Sequence, residues 1–328
     1  MKVRKLLSGA LALGLAMSMG MTAFAATGGD TKYVDAPTAE ITKTFKAAGV
    51  TDGIKSPAAS FTVVQVGEGT VLDGEAKSAP ALGTITAASF AEGAATSEGS
   101  TQKIQIELPV YNTVGVYQYK LSEAAGNLAG VTYDNTEYYL KVTVINQDGE
   151  KVRVAALHKG SADGSKTESL VNTYTAGALQ ITKAVDGNLG DKTKYFEFKV
   201  TLTGVDGKTY ADSYAVTGGS YDGNPTTIKI GGETTFKLKD GDTIKIANLP
   251  AGTKYTVTET AADGYTTTKT GDEGTIEDSV VTAAFTNTKK GDVDTGISLD
   301  SLPYLMILAV AGAGLVVFAA RKRGMRED

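Results

Sequence analysis

Between Asp35 and Asn287 the chain consists almost entirely of short runs in which apolar and polar residues alternate, separated by Gly, Thr, Asp and Asn. A period of two puts successive side chains on opposite faces of a strand, and turn residues at such close intervals leave no room for a long amphipathic helix. The expected fold class is therefore all-β. Clear strand runs are Lys103 to Leu108, Tyr138 to Asn146, Phe196 to Leu202, Thr243 to Ile246 and Tyr255 to Glu259, and Asp240-Gly241 has the chemistry of a hairpin turn. Residues 86–102, rich in Ala, Gly, Ser and Thr, offer little apolar surface and read as a loop or weakly ordered insertion. A linker near Thr175 to Gly177 divides the rest into two β domains, 26–175 and 176–290.

The two ends differ in kind from this middle. Residues 1–25 open with Lys2, Arg4 and Lys5, continue through an apolar run to Met21 and finish at Ala23-Phe24-Ala25, the pattern of a secretory signal peptide cut after Ala25. The last segment, 291–328, holds an uncharged stretch at 302–320, expected to be a transmembrane helix, followed by a basic tail at 321–328 that begins Arg321-Lys322-Arg323. The middle is thus expected outside the membrane. The whole chain carries −5; without the +3 of the signal and the +1 of residues 296–328, residues 26–295 carry −9. That balance argues against a nucleic-acid partner, because phosphate neutralisation supplies most of such affinity. With no Cys and one His (His158) in 328 residues, thiolate chemistry, disulfides and multi-His metal cages are excluded, and neither metal nor cofactor is expected. An exported protein without disulfides needs another source of stability.

One pattern occurs twice. The run Ile41-Thr42-Lys43-Thr44-Phe45 puts Lys43 on the face of Ile41 and Phe45, and Leu179 to Val185 puts Lys183 on the face of Leu179, Ile181 and Val185. Glu123 shares a face with Tyr117, Tyr119 and Leu121, and Glu259 shares one with Tyr255 and Val257. Asn172 lies beside Leu170 and Tyr174, and Asn287 beside Ala283 and Phe285. The order Lys, Glu, Asn on apolar faces is repeated in both halves.

Burial disfavours the charged form of an amine and of a carboxylic acid alike. A neutral amine is a nucleophile, and a carboxamide within reach can be attacked with loss of ammonia while the carboxyl group shuttles protons. The expected products are Lys43–Asn172 and Lys183–Asn287 isopeptide bonds, with Glu123 and Glu259 as the catalytic groups. Each would tie the start of a domain to its end and, by analogy with disulfides, stabilise it by about 4 to 5 kcal/mol. The alternative is a buried salt bridge whose spare hydrogen-bonding capacity is met by the Asn. Repetition of the same three residue types in the same order favours the bond, since buried ionisable groups are rare unless used.

These two sets, together with the run Phe236 to Pro250 and the following Tyr255-Thr256-Val257-Thr258-Glu259, resemble the streptococcal-type isopeptide-linkage domains of Gram-positive sortase-assembled backbone pilins. The resemblance implies two tandem immunoglobulin-like β-sandwich domains stacked in a rod, autocatalytic Lys–Asn bonds, and covalent polymerisation by a pilin-specific sortase. It also implies that Asp292-Val293-Asp294-Thr295-Gly296 (motif 292–296) is the sorting motif, cleaved between Thr295 and Gly296, although Asp292 and Val293 replace the common Leu-Pro. The protein would then be a substrate and not an enzyme. Its partners would be sortase, other copies of itself, minor pilins and peptidoglycan, and its place a cell-wall-anchored pilus on the cell surface, reached through a membrane-inserted precursor. Lys166 occupies the position the resemblance suggests for the intersubunit acceptor, with Lys159 as the alternative. His158 reads as a solvent-facing loop residue.

Two other classes remain in view. A sortase-anchored adhesin or minor pilin could use the same domains to bind a host or matrix ligand. A glycosidase would need paired carboxylates in a cleft, and the two inward Glu are already accounted for. Asp222-Gly223-Asn224 could bind a cation weakly.

Overall fold

The computed structural model describes residues 32–49 and 55–291. The expected signal peptide (1–25), sorting motif (292–296), membrane span (302–320) and basic tail (321–328) lie outside the described residues. Those described form strands and connecting loops, with no helix among them.

In chain order the strands are β1 (Thr38–Gly49), β2 (Ala59–Phe61), β3 (Val63–Gln65), β4 (Thr70–Gly74), β5 (Ile85–Thr86), β6 (Ala88–Phe90), β7 (Ser100–Glu107), β8 (Gly115–Glu123), β9 (Val131–Thr132), β10 (Glu137–Gln147), β11 (Glu150–Lys159) and β12 (Ser169–Asp186). There follow β13 (Phe196–Thr203), β14 (Tyr214–Gly218), β15 (Thr227–Ile228), β16 (Glu233–Leu238), β17 (Thr243–Pro250), β18 (Lys254–Glu259), β19 (Thr266–Thr270), β20 (Glu273–Thr275) and β21 (Val280–Thr288).

Alternation decides which face of each strand is dry. In β1, Ile41, Lys43 and Phe45 are buried while the residues between them are half-exposed, and β8 and β10 repeat the pattern. The buried faces meet in two cores. The first lies between the sheet β5–β7–β1–β12 and the sheet β11–β10–β8, with β3 and β4 also pairing with β8. The second lies between β14, β17, β12, β21 and β19 on one side and β16–β13–β18–β20 on the other.

β12 belongs to both. Its first half pairs in parallel with β1, and its second half pairs in parallel with β21 and antiparallel with β17. No loop breaks it at Thr175 to Gly177, where the sequence suggested a linker; the strand continues with a register shift between Gly177 and Leu179. Ala176 and Ala178 are buried there, and the backbone is tied to both halves through Thr175 N–H to Gly130 O (2.8 Å) and Ala251 N–H to Thr175 O (2.9 Å).

Three further expectations are corrected. Residues 86–102 are not an unstructured insertion: β6 pairs with β2, β7 begins at Ser100, and Phe90 packs edge-on against Phe45. One well-placed Phe supplies the apolar surface that the composition of the segment hid. Asp240-Gly241 is a turn, with Gly241 at φ +80°, but it joins β16 and β17, which lie in opposite sheets, so it is no hairpin. Local turn chemistry sets the reversal and leaves the pairing to the strands. His158 sits on β11, half-buried, with Nδ1 2.9 Å from Gly164 O.

Candidate functional site

In each half the first strand and the Asn-bearing strand run side by side in parallel, and the offset is the same. Lys43 lies opposite Leu170, and Asn172 opposite Phe45; Lys183 lies opposite Phe285, and Asn287 opposite Val185. Each Asn is thus two residues beyond its Lys, on the same dry face of the adjoining strand. Glu123 and Glu259 end β8 and β18 in the facing sheets and reach across the core.

The first set is fully connected. Lys43 Nζ donates to Glu123 Oε2 (2.8 Å) and to Asn172 Oδ1 (2.7 Å), and Asn172 Nδ2 donates to Glu123 Oε1 (2.5 Å). In the second, Lys183 Nζ donates to both Glu259 oxygens (2.9 and 3.0 Å), and Asn287 Nδ2 donates to Glu259 Oε1. Among the described residues no protein donor reaches Asn287 Oδ1, although that atom is buried. The Lys and Glu side chains are 0–1% exposed in the first pair and 0–2% in the second, so water does not screen them.

Burial pushes the amines of Lys43 and Lys183 below the ordinary lysine range, against the opposing pull of Glu123 and Glu259. Aromatic rings complete the enclosure: Phe61 is centred 5.1 Å from Lys43 Nζ, and Phe196 4.3 Å from Lys183 Nζ. In both places an amine and a carboxamide that can condense with loss of ammonia are held against a carboxylate touching both.

One contributor to the first set carries little signal in the sequence. The backbone N–H of Asp134 points at Asn172 Oδ1 (2.9 Å) and Glu123 Oε2 (3.1 Å). Its own carboxylate is fixed by Tyr138 O–H (2.6 Å) and Thr136 N–H (2.9 Å). A main-chain donor leaves no residue-type signature; only the Asp-x-Thr turn and the inward Tyr138 could have hinted at it. Lys166 and Lys159 are both exposed, near each other where a loop folds back on β11: His158 bridges to Lys166, and Lys159 N–H bonds Ser165 O (3.0 Å). Thr295 and Gly296 lie outside the described residues. Asn224 is engaged with the backbone of Lys237 through both ends of its amide (2.7 and 3.0 Å).

Fold and site together define an all-β chain with two cores, each holding one buried Lys–Glu–Asn set. A family described as Spy0128-like isopeptide containing domain matches residues 38–175, and one described as a domain of unknown function (DUF7601) matches 177–289. A pilin of Streptococcus pyogenes serotype M1 is 31% identical over 251 residues, spanning 69% of this chain and 72% of that protein. The pilus tip adhesin Cpa of Streptococcus pyogenes is 33% identical over 129 residues, 37% of this chain and 18% of the adhesin. The crystal structure of the major pilin from Streptococcus pyogenes matches with a TM-score of 0.54 at 25% identity, covering 79% of this chain and all of that one. The chain belongs to the streptococcal-type pilin family.

Proposed function

We propose that this protein is the shaft subunit of a covalently polymerised surface pilus, built from two immunoglobulin-like sandwiches that each lock themselves with a Lys–Asn isopeptide bond. The observation that carries this reading is the repeated geometry: two sets with one parallel offset, each with its Glu in contact with both partners. In each, the neutral amine attacks Cγ of the Asn, the Glu takes a proton from Nζ and hands it to Nδ2, and ammonia departs. One C–N bond forms and one breaks, and no oxidant or cofactor is consumed. The kinship with the Streptococcus pyogenes pilin supports the shaft role.

Polymerisation and wall anchoring follow from sortase cleavage at Thr295-Gly296, with transfer of the Thr295 carbonyl to Lys166 of the next copy, or to Lys159. The mass of residues 26–295 tests the internal bonds: the expected value is short by two ammonia molecules, with one restored in Glu123→Ala and one in Glu259→Ala. An unshifted mass would sink the mechanism. Likeness to a tip adhesin favours a second reading, an anchored adhesin or minor pilin. Co-expression with a pilin sortase separates them, since a ladder that disappears in Lys166→Ala marks a shaft subunit and a single anchored band marks the adhesin.

A further inference from the structure

The two sets differ at the carboxamide oxygen on which negative charge develops when the amine attacks. In the first, Asn172 Oδ1 receives Lys43 Nζ (2.7 Å) and the Asp134 N–H (2.9 Å). As Nζ moves from Oδ1 to bond with Cγ, it becomes the nucleophile, and the Asp134 N–H is the donor that stays. We propose that the Asp134 backbone amide is an oxyanion donor for closure of the Lys43–Asn172 bond, and that the second set, lacking such a donor on Asn287 Oδ1, closes more slowly. The inference rests on the isopeptide reading above.

Topology explains the difference. β9 and β19 occupy equivalent places: each follows the Glu-bearing strand and pairs antiparallel with the Asn-bearing strand. β19 runs straight past Asn287, with Thr267 opposite it and pairing continuing to Thr270 opposite Ala284. β9 pairs only as far as Thr132 opposite Thr173, one residue short of Asn172. The chain then leaves the ladder, and the next amide but one turns onto the Asn172 and Glu123 side chains. That turn is braced by the Asp134 carboxylate on Thr136 N–H and Tyr138 O–H, so the donor is in place before reaction. A fixed donor in a water-free site is worth far more to a developing oxyanion than the same group in solution. The tetrahedral species carries the charge on Oδ1, then expels Nδ2 as ammonia with the proton relayed by Glu123, so atoms and charge balance without another reactant.

The test follows each bond separately in the full-length chain, made by cell-free translation, quenched in guanidinium at intervals and digested for peptide masses. Replacing the Asp134 amide by an ester through its α-hydroxy acid removes the N–H and keeps every side chain. The expected result is a first bond slower by about 10²- to 10³-fold, with the second, in the same molecule, unchanged. A first bond within about threefold of wild type, on the scale that one lost donor sets, overturns the proposal. Tyr138→Phe, which removes one of the two bonds bracing the Asp134 carboxylate and keeps the N–H, should slow the first bond by a smaller factor and leave the second alone; equal slowing of both would mark a folding defect and overturn the assignment from this arm. Unmutated protein gives an independent check, because the first bond must close before the second, and the reverse order refutes the inference. Loss of ammonia at neither site would instead refute the isopeptide reading itself.

Discussion

Removing Asn172 and removing Glu123 would both abolish the proposed first cross-link, yet they should not destabilise equally. The bond would close a loop spanning 129 positions, and its loss restores about 5 kcal/mol of chain entropy to the unfolded state. Asn172→Ala also gives up the hydrogen bond that the Asn172 carbonyl oxygen accepts from the Asp134 N–H, for about 1 kcal/mol more. It leaves the Lys43–Glu123 contact at 2.8 Å in place. Glu123→Ala gives up the same closure and leaves the Lys43 amine in a dry core beside Asn172 Oδ1 but without its carboxylate, which adds about 3 to 5 kcal/mol. With an unfolding entropy of about 2.1 cal/mol/K per residue, residues 38–175 contribute about 0.29 kcal/mol/K. Closure alone is then about 17 °C of melting temperature, and the stranded amine about 10 to 17 °C more. Calorimetry on wild type and both variants, each checked by intact mass, reads these shifts. An Asn172→Ala protein melting within about 3 °C of wild type would refute the closure term, and coincident melting of the two variants would refute the buried-charge term.

The pH dependence should change with the bond. In Asn172→Ala, Lys43 stays an amine held below its ordinary value of 10.5 by burial, so the unfolded chain binds more protons above the folded-state value, and stability rises with pH up to about 10.5. Cross-linked protein has no such amine, and its denaturation curves over that window should lack the rise. Gly49 at φ +104° would bring a Cβ to 2.3 Å from Ala176 O and 2.9 Å from Asp278 O, so Gly49→Ala should cost at least about 2 kcal/mol in denaturant unfolding. Asn248, at φ +63°, uses both ends of its amide to grip the backbone of Lys55 from the other half (3.0 and 2.5 Å); Asn248→Ala should lower hydrogen-exchange protection at the Lys55 amide by about 1 to 2 kcal/mol, and unchanged protection would show the grip to be idle.

The all-β class and the inward direction of Lys43, Glu123, Asn172, Lys183, Glu259 and Asn287 were legible because a strand has one periodicity and a polar residue on its dry face stands out against Ile, Phe and Tyr. Pairing was not legible in the same way. Nothing near Asn172 says that it lies opposite Phe45, 127 positions earlier in the chain; that follows only when both cores close. Phe90 gives no strand signal because its neighbours are small, and the turn at Asp240-Gly241 does not declare its pairing because a tight reversal suits strands of one sheet or of two. The Asp134 amide was invisible for a deeper reason, since every residue but proline offers the same N–H and only the tertiary path aims it.

The continuity of β12 binds these observations to mechanics. Asn172 and Lys183 lie on one strand, eleven positions apart, the first tied back to β1 and the second forward to β21. With both bonds formed, tension entering at Lys166, the acceptor proposed above, passes along the chain to Asn172, along β12 to Lys183, and through the second cross-link to Asn287. The closed loop 183–287 carries none of it, and the first cross-link ties β1 to the strand beside that path. Between Asn172 and Lys183 the series element is a segment of about 36 Å that is already extended at about 3.3 Å per residue, leaving little slack to draw out. Had Thr175 to Gly177 been a flexible linker, that series element would have been the compliant part of the subunit. Because it is a paired strand, the stretch between the cross-links is as stiff as a strand backbone allows, and lengthening of the second domain under load would first require the Lys183–Asn287 cross-link to be absent.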